Sequence, residues 1–231
     1  MIWFYLVEYM EDLLKKIKVI YEDNHIIVVE KPINIPTCED ESKDIDLLSL
    51  VKLYLKQEHN KPGNVYLGLV HRLDRPVGGI MVFAKTSKAA SRLNEQIRNN
   101  EMVKKYYLVV EGILNDKCAI LKDYLLKDSK TNKVIVDKKG KYAELDYKVL
   151  AEKDNLSLIE VNLHTGRSHQ IRVQFSSRNH PLFGDQKYNK KAIAHSQIAL
   201  YSFSLSFKHP ISKEIMTFTL DKPNRYPFNL F

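Results

Sequence analysis

Residues 69–86 read LVHRLDRPVGGIMVFAKT, and here His71, Arg72, Asp74 and Arg75 crowd beside Pro76 and two glycines, between two apolar runs. An aspartate flanked by arginines is kept ionised by the nearby positive charge, and an ionised carboxylate can act as a nucleophile or a base. The same grouping also occurs as a structural ion pair at a strand end. A second knot lies far along the chain in LHTGRSHQIRVQF, residues 163–175. There a strand is expected to end in a glycine turn and open a short helix capped by Ser168, with Arg167, His169 and Arg172 around it. Basic side chains and free amides at such a turn suit phosphate. Two turns rich in Asp, Arg and His, each closing a strand, are expected to converge on one site.

The elements that must carry these residues are legible from periodicity. NHIIVVEKP is a β-branched run stopped by Pro32, hence a strand. Leu47, Leu50, Val51, Tyr54 and Leu55 follow helical spacing within DIDLLSLVKLYLK. NVYLGLV and IMVFAKT read as the strands on either side of the charged turn, with Gly78 and Gly79 giving that turn backbone freedom, and SKAASRLNEQIRNN reads as a helix capped by Ser87. KKYYLVVEGIL is a strand, and YAELDYKVL with LSLIEVNLH forms a hairpin around AEKDN. Ile159, Val161 and Leu163 alternate with Glu160, Asn162 and His164, the period of a half-buried sheet. Tyr201, Phe203, Leu205 and Phe207 repeat the pattern, and KHPISKE turns into a last strand. Many antiparallel strands with three or four helices predict an α+β architecture, a single catalytic domain on a mainly antiparallel sheet flanked by helices and loops.

The chain has 231 residues, enough for one sizeable core. Thirty-six Lys and Arg against 28 Asp and Glu leave a formal charge of +8, which suits a polyanionic partner. Two distant cysteines, Cys38 and Cys118, suggest neither a disulfide framework nor a zinc cluster, and a reducing cytoplasm is the expected home. MIWFYLV is apolar but short and soon followed by Glu8 and Glu11, so no membrane anchor is expected and these residues are expected to pack on the domain or on a partner.

The motifs His71-Arg72-Leu73-Asp74 with Gly78-Gly79, Lys104-Lys105-Tyr106, Thr165-Gly166-Arg167-Ser168-His169-Gln170-Ile171-Arg172, and Gly184-Asp185 with Tyr188 stand in this order. Together they resemble the RluA-type RNA pseudouridine synthases, from about Tyr21 to the end of the chain. Val77-Gly78-Gly79 stands where that family commonly has Thr-Ser-Gly. The resemblance implies isomerisation of uridine in structured RNA, ribosomal or transfer RNA, without a metal or redox cofactor. It makes Asp74 the nucleophile, on the sugar or on the ring. It makes Tyr106 the tyrosine that stacks on the base and takes a proton, and Arg172 the cation paired with Asp74. Base flipping follows from the chemistry, because a stacked uridine hides its reacting atoms. Arg72 resembles the arginine that fills the vacated space, and His71, Arg75, Arg167 and His169 join it as RNA contacts, His71 chiefly as support for the loop. Residues 21–231 are then the catalytic domain and 1–20 an extension, with no N-terminal helical RNA-binding domain, and a monomer is expected. Two rival readings are a non-catalytic RNA-binding domain, against which intact Asp74, Tyr106 and Arg172 speak, and a metal-dependent nuclease, which would need clustered carboxylates.

Overall fold

A computed structural model describes residues 12–15, 17–128 and 130–231. The apolar N-terminal stretch, and the packing expected of it, lies outside the described residues. The chain divides into two compact units, Met1–Met102 with Ser206–Phe218 and Val103–Leu205 with Thr219–Phe231.

In the first unit β1 (Lys18–Glu22) pairs with β2 (Ile26–Lys31), and β2 with β4 (Gly78–Ala84), which also takes the short β3 (Gly68–Leu69), all antiparallel. β4 is buried along its whole length and β2 at every position but Glu30, as their unbroken Val, Ile and Met runs require. Each such side chain taken from water contributes roughly 1.5–3 kcal/mol. Helix α1 (Leu47–Glu58) buries Leu47, Leu50, Val51 and Leu55, and the Asp46 carboxylate caps it by accepting from the Ser49 N–H. Helix α2 (Ser87–Arg98) is capped by Thr86, not Ser87. The cap must have extended backbone, which Thr86 has (φ −138°, ψ 152°), whereas Ser87 already belongs to the helix. The strand expected from NVYLGLV shrinks to two residues.

The second unit is an antiparallel sheet in the order β5 (Val103–Glu111), β9 (Leu156–Leu163), β8 (Lys141–Lys153), β6 (Cys118–Asp128) and β7 (Lys133–Val136). β8 and β9 join through Asp154 and Asn155, both left-handed (φ 52° and 57°), the geometry a two-residue hairpin turn demands. Ile159, Val161 and Leu163 are buried as their alternation predicts. Helix α3 (Gln170–Ser176) packs on one face of this sheet, Phe175 edge-on to Tyr147 (5.4 Å) and Val173 among Leu125, Val134 and Ala143. A further core gathers Val109, Leu158, Phe203 and Phe228. β10 (Leu200–Lys208) pairs with β11 (Ile215–Thr219), and in β10 the serines between the aromatics, Ser202 and Ser204, are also buried.

Candidate active site

The Asp74 turn is held through its main chain. Its own carbonyl accepts the Val77 N–H (2.9 Å), closing a turn whose corners are Arg75 and Pro76. Leu73 and Val77, on either side, are buried and act as anchors. Lys31 is 1 % exposed at the end of β2, and its Nζ donates to the carbonyls of Pro32 (3.0 Å), Arg75 (3.0 Å) and Val77 (2.8 Å). All three ammonium protons are thereby used. Burial pushes the Lys31 pKa down to about 7, while the Asp74 charge pulls it back up and Arg75 lowers it further. Thr37 grips the neighbouring residue twice, its hydroxyl donating to the Leu73 carbonyl (2.8 Å) and accepting the Leu73 N–H (3.3 Å). His71 Nε2 accepts the Val82 N–H (3.2 Å), so this ring supports the loop against β4. Arg72 is exposed, and Arg75 pairs with Asp44 and donates to the Asn34 carbonyl (3.4 Å). Gly78 and Gly79 already belong to β4, and of the two only Gly79 takes a backbone (φ 123°) that a side chain would resist.

In the second unit, Tyr106 stands opposite Val161 in β9, which stands opposite Tyr147 in β8. Directly paired residues share a sheet face, so Tyr106 lies on the face that α3 covers, and it is 6 % exposed. Tyr107 points the other way and stacks on Phe203, with centroids 3.7 Å apart and planes 11° from parallel. Arg172 projects from α3 into a two-pronged pair with Asp185, Nε to Oδ2 at 2.8 Å and Nη2 to Oδ1 at 2.6 Å. Both are out of water, at 8 % and 0 % side-chain exposure. Asp185 also accepts the N–H groups of Lys187 (2.9 Å) and Tyr188 (3.2 Å), and the guanidinium lies 5.2 Å from the centre of the Tyr188 ring. The Tyr188 hydroxyl accepts the Val134 N–H (2.9 Å) and lies 2.7 Å from His169 Nδ1.

The start of α3 differs from expectation. Its cap residue is His169 in the left-handed region (φ 51°), with no side-chain cap, and Ser168 does not serve. Two of the turn's amides are closed to an anion: Gln170 Oε1 takes the Arg167 N–H (3.0 Å) and the Arg167 carbonyl takes the Gln170 N–H (3.2 Å). A long polar side chain inside the turn satisfies the turn itself. Gln170 further receives the Thr165 hydroxyl (2.8 Å), and Thr165 in turn accepts the Glu144 N–H (2.8 Å), tying the turn to β8. Arg167 is exposed, with Nε on the Tyr142 carbonyl (2.8 Å).

Sequence reasoning assigns no task to Lys31, Thr37 or Asp185. A lysine closing an apolar strand signals the first, and Asp185 stands in the Gly184-Asp185 motif, where the Gly184 φ of 71° marks a built turn. No sequence signal points to Thr37. Among the described residues no three His, Cys, Asp or Glu side chains group as a metal site, and no helix is long and apolar enough to cross a membrane.

Comparison with known proteins identifies the family. Residues 25–177 match the RNA pseudouridylate synthase family. An uncharacterized RNA pseudouridine synthase of Aquifex aeolicus is 34% identical over 229 residues, covering 91% of this chain and 71% of that one. Ribosomal large subunit pseudouridine synthase D of Zymomonas mobilis is 31% identical over 222 residues, covering 90% and 69%. In fold, the chain is similar to human RNA pseudouridylate synthase domain containing 4, with a TM-score of 0.80 at 20% identity over 94% of each chain. Motifs, fold and relatives agree, and the chain belongs to the RluA-type RNA pseudouridine synthases.

Proposed function

We propose that this isomerase converts a particular uridine of a structured ribosomal or transfer RNA to pseudouridine, acting as a cytoplasmic monomer through Asp74. The observation that carries the reading is the Asp74 turn, whose flanking carbonyls are fixed by the buried Lys31 side chain. A carboxylate carried on a rigid turn is what a nucleophile requires. Asp74 attacks either the anomeric carbon or the pyrimidine ring. The bond from C1′ to N1 breaks and one from C1′ to C5 forms. The hydrogen leaving C5 is balanced by one gained at N1, so the product is an isomer.

Tyr106 stacks on the base and receives the C5 proton, and Arg172 is the catalytic cation. The uridine is flipped out, at a cost of roughly a few kcal/mol that loops reduce, and Arg72 takes its place. Arg75, Arg167 and His169 contact the RNA, and His71 supports the turn. Residues 21–231 form the catalytic part and 1–20 an extension.

The test is pseudouridine mapping of ribosomal and transfer RNA incubated with the purified protein in excess EDTA. New pseudouridines are expected with the wild type, and Asp74→Asn is expected to lose at least roughly 10⁴-fold in rate while keeping fold and RNA affinity. Near-normal turnover by Asp74→Asn would sink the assignment. RNA cleavage that EDTA stops would favour a nuclease.

A further inference from the structure

Lys104 is 8 % exposed. Among the described residues its ammonium has no carboxylate, carbonyl or hydroxyl at hydrogen-bond or ion-pair distance. The other buried cations differ: Lys31 spends its protons on three carbonyls, and Arg172 has Asp185. A lysine side chain largely taken out of water with no counter-charge in exchange is costly, and burial lowers the Lys104 pKa with no neighbouring charge to restore it. A chain that carries such a group without need would gain by replacing it.

The surroundings indicate what the group awaits. Lys104 and Tyr106 are two apart on β5 and so share a face. Gly166 stands beside Nζ: a Cβ built there would lie 3.8 Å from it and meet nothing else within 4 Å. The φ of Gly166 is not left-handed, so neither backbone nor crowding calls for glycine at that position. What glycine does there is leave the approach to the ammonium uncovered. Arg167, next in sequence, is exposed on the same turn. The missing partner is an anion arriving from outside. Uracil and ribose are neutral, whereas RNA brings one phosphate per nucleotide.

We propose that Lys104 and the open backbone at Gly166 form a receptor for an RNA phosphodiester adjoining the target uridine. The inference rests on the reading of RNA as substrate. Removing one phosphate contact weakens binding at all sequences and lowers its salt dependence by about 0.7–0.9 in the slope of log affinity against log salt.

The experiment titrates a fluorescein-labelled RNA stem-loop with a uridine-containing loop against wild type and Lys104→Met over a range of KCl, alongside thermal unfolding of both proteins. Lys104→Met is expected to bind about tenfold more weakly near physiological salt, since hydrogen bonds to charged groups are worth more than neutral ones. Its salt slope is expected to be shallower by about one contact, with an equal or higher Tm. Gly166→Val, which keeps the charge but covers it, is expected to weaken binding as well. Unchanged affinity and slope in Lys104→Met would overturn the proposal while leaving the RNA reading intact. Unchanged affinity with lost turnover would assign the ammonium to the base instead of the phosphate and overturn it too, and a lowered Tm would show a structural role. A wild type that fails to bind the stem-loop at low salt would overturn the RNA reading and this proposal together.

Discussion

The Asp74 turn is gripped by carbonyls and an amide, with Lys31 and Thr37 reaching in from outside to hold main-chain atoms, whereas Arg172 is gripped by its own guanidinium, locked side chain to side chain by Asp185. The two fastenings fail differently. Main-chain fastening gives the turn holds that do not depend on which side chain stands at 74, because Lys31 and Thr37 grip backbone atoms of Leu73, Arg75 and Val77. Side-chain fastening makes the buried pair depend on both of its members, and losing either one strands a buried charge.

Asp185→Ala is the strongest way to break this contrast. It is expected to cost about 3–5 kcal/mol in urea denaturation, and adding Arg172→Met is expected to recover part of that loss. A single-variant cost below about 1 kcal/mol would mean the pair is no fastening. Next in size, Tyr106→Phe is expected to keep RNA binding and lose roughly 10²-fold or more in turnover, as the removal of an acid or base does. Tyr107→Phe, on the far face against Phe203, is expected to stay within about twofold in turnover, because its ring packs in a core where a hydroxyl adds little. Equal losses would erase the distinction between the two faces of β5.

The smallest effect sharpens the account of Lys31. Its folded pKa, about 7, lies below the ordinary 10.5, so between those values the unfolded chain binds more protons and stability rises with pH. The stability of wild type relative to Lys31→Met is therefore expected to grow as pH climbs above about 7. Urea denaturation of both proteins at several pH values from 6 to 10 measures it, and a constant difference would show that the three carbonyls hold the ammonium charged throughout.

What could be read beforehand follows the strength of the local signal. Ile159, Val161 and Leu163 alternate cleanly and form the strand they announce, and Tyr106 is singled out by its motif while alternation puts Tyr107 on the opposite face. β6 and β7 went unforeseen because apolar residues occupy both faces: Leu121 and Leu125 turn inward while Ile120, Tyr124, Leu126 and Ile135 stay exposed, which hides a period of two. The cap at Thr86 was misplaced by one residue, since Thr and Ser stand side by side and only backbone dihedrals choose between them. Asp74 and Arg172 stood out as charges in motifs. The tasks of Lys31, Thr37 and Asp185 did not, because they rest on contacts with residues distant in sequence, which a motif or a strand end does not record.

His169 joins two requirements in one residue. Its backbone is left-handed, which excludes β-branched side chains and favours glycine, asparagine or aspartate, while its ring reaches the Tyr188 hydroxyl that also receives the Val134 amide. Glycine would meet the first demand and forfeit the second, and asparagine would turn correctly but stop short of the hydroxyl. The repertoire open to evolution at 169 is thus close to a single amino acid.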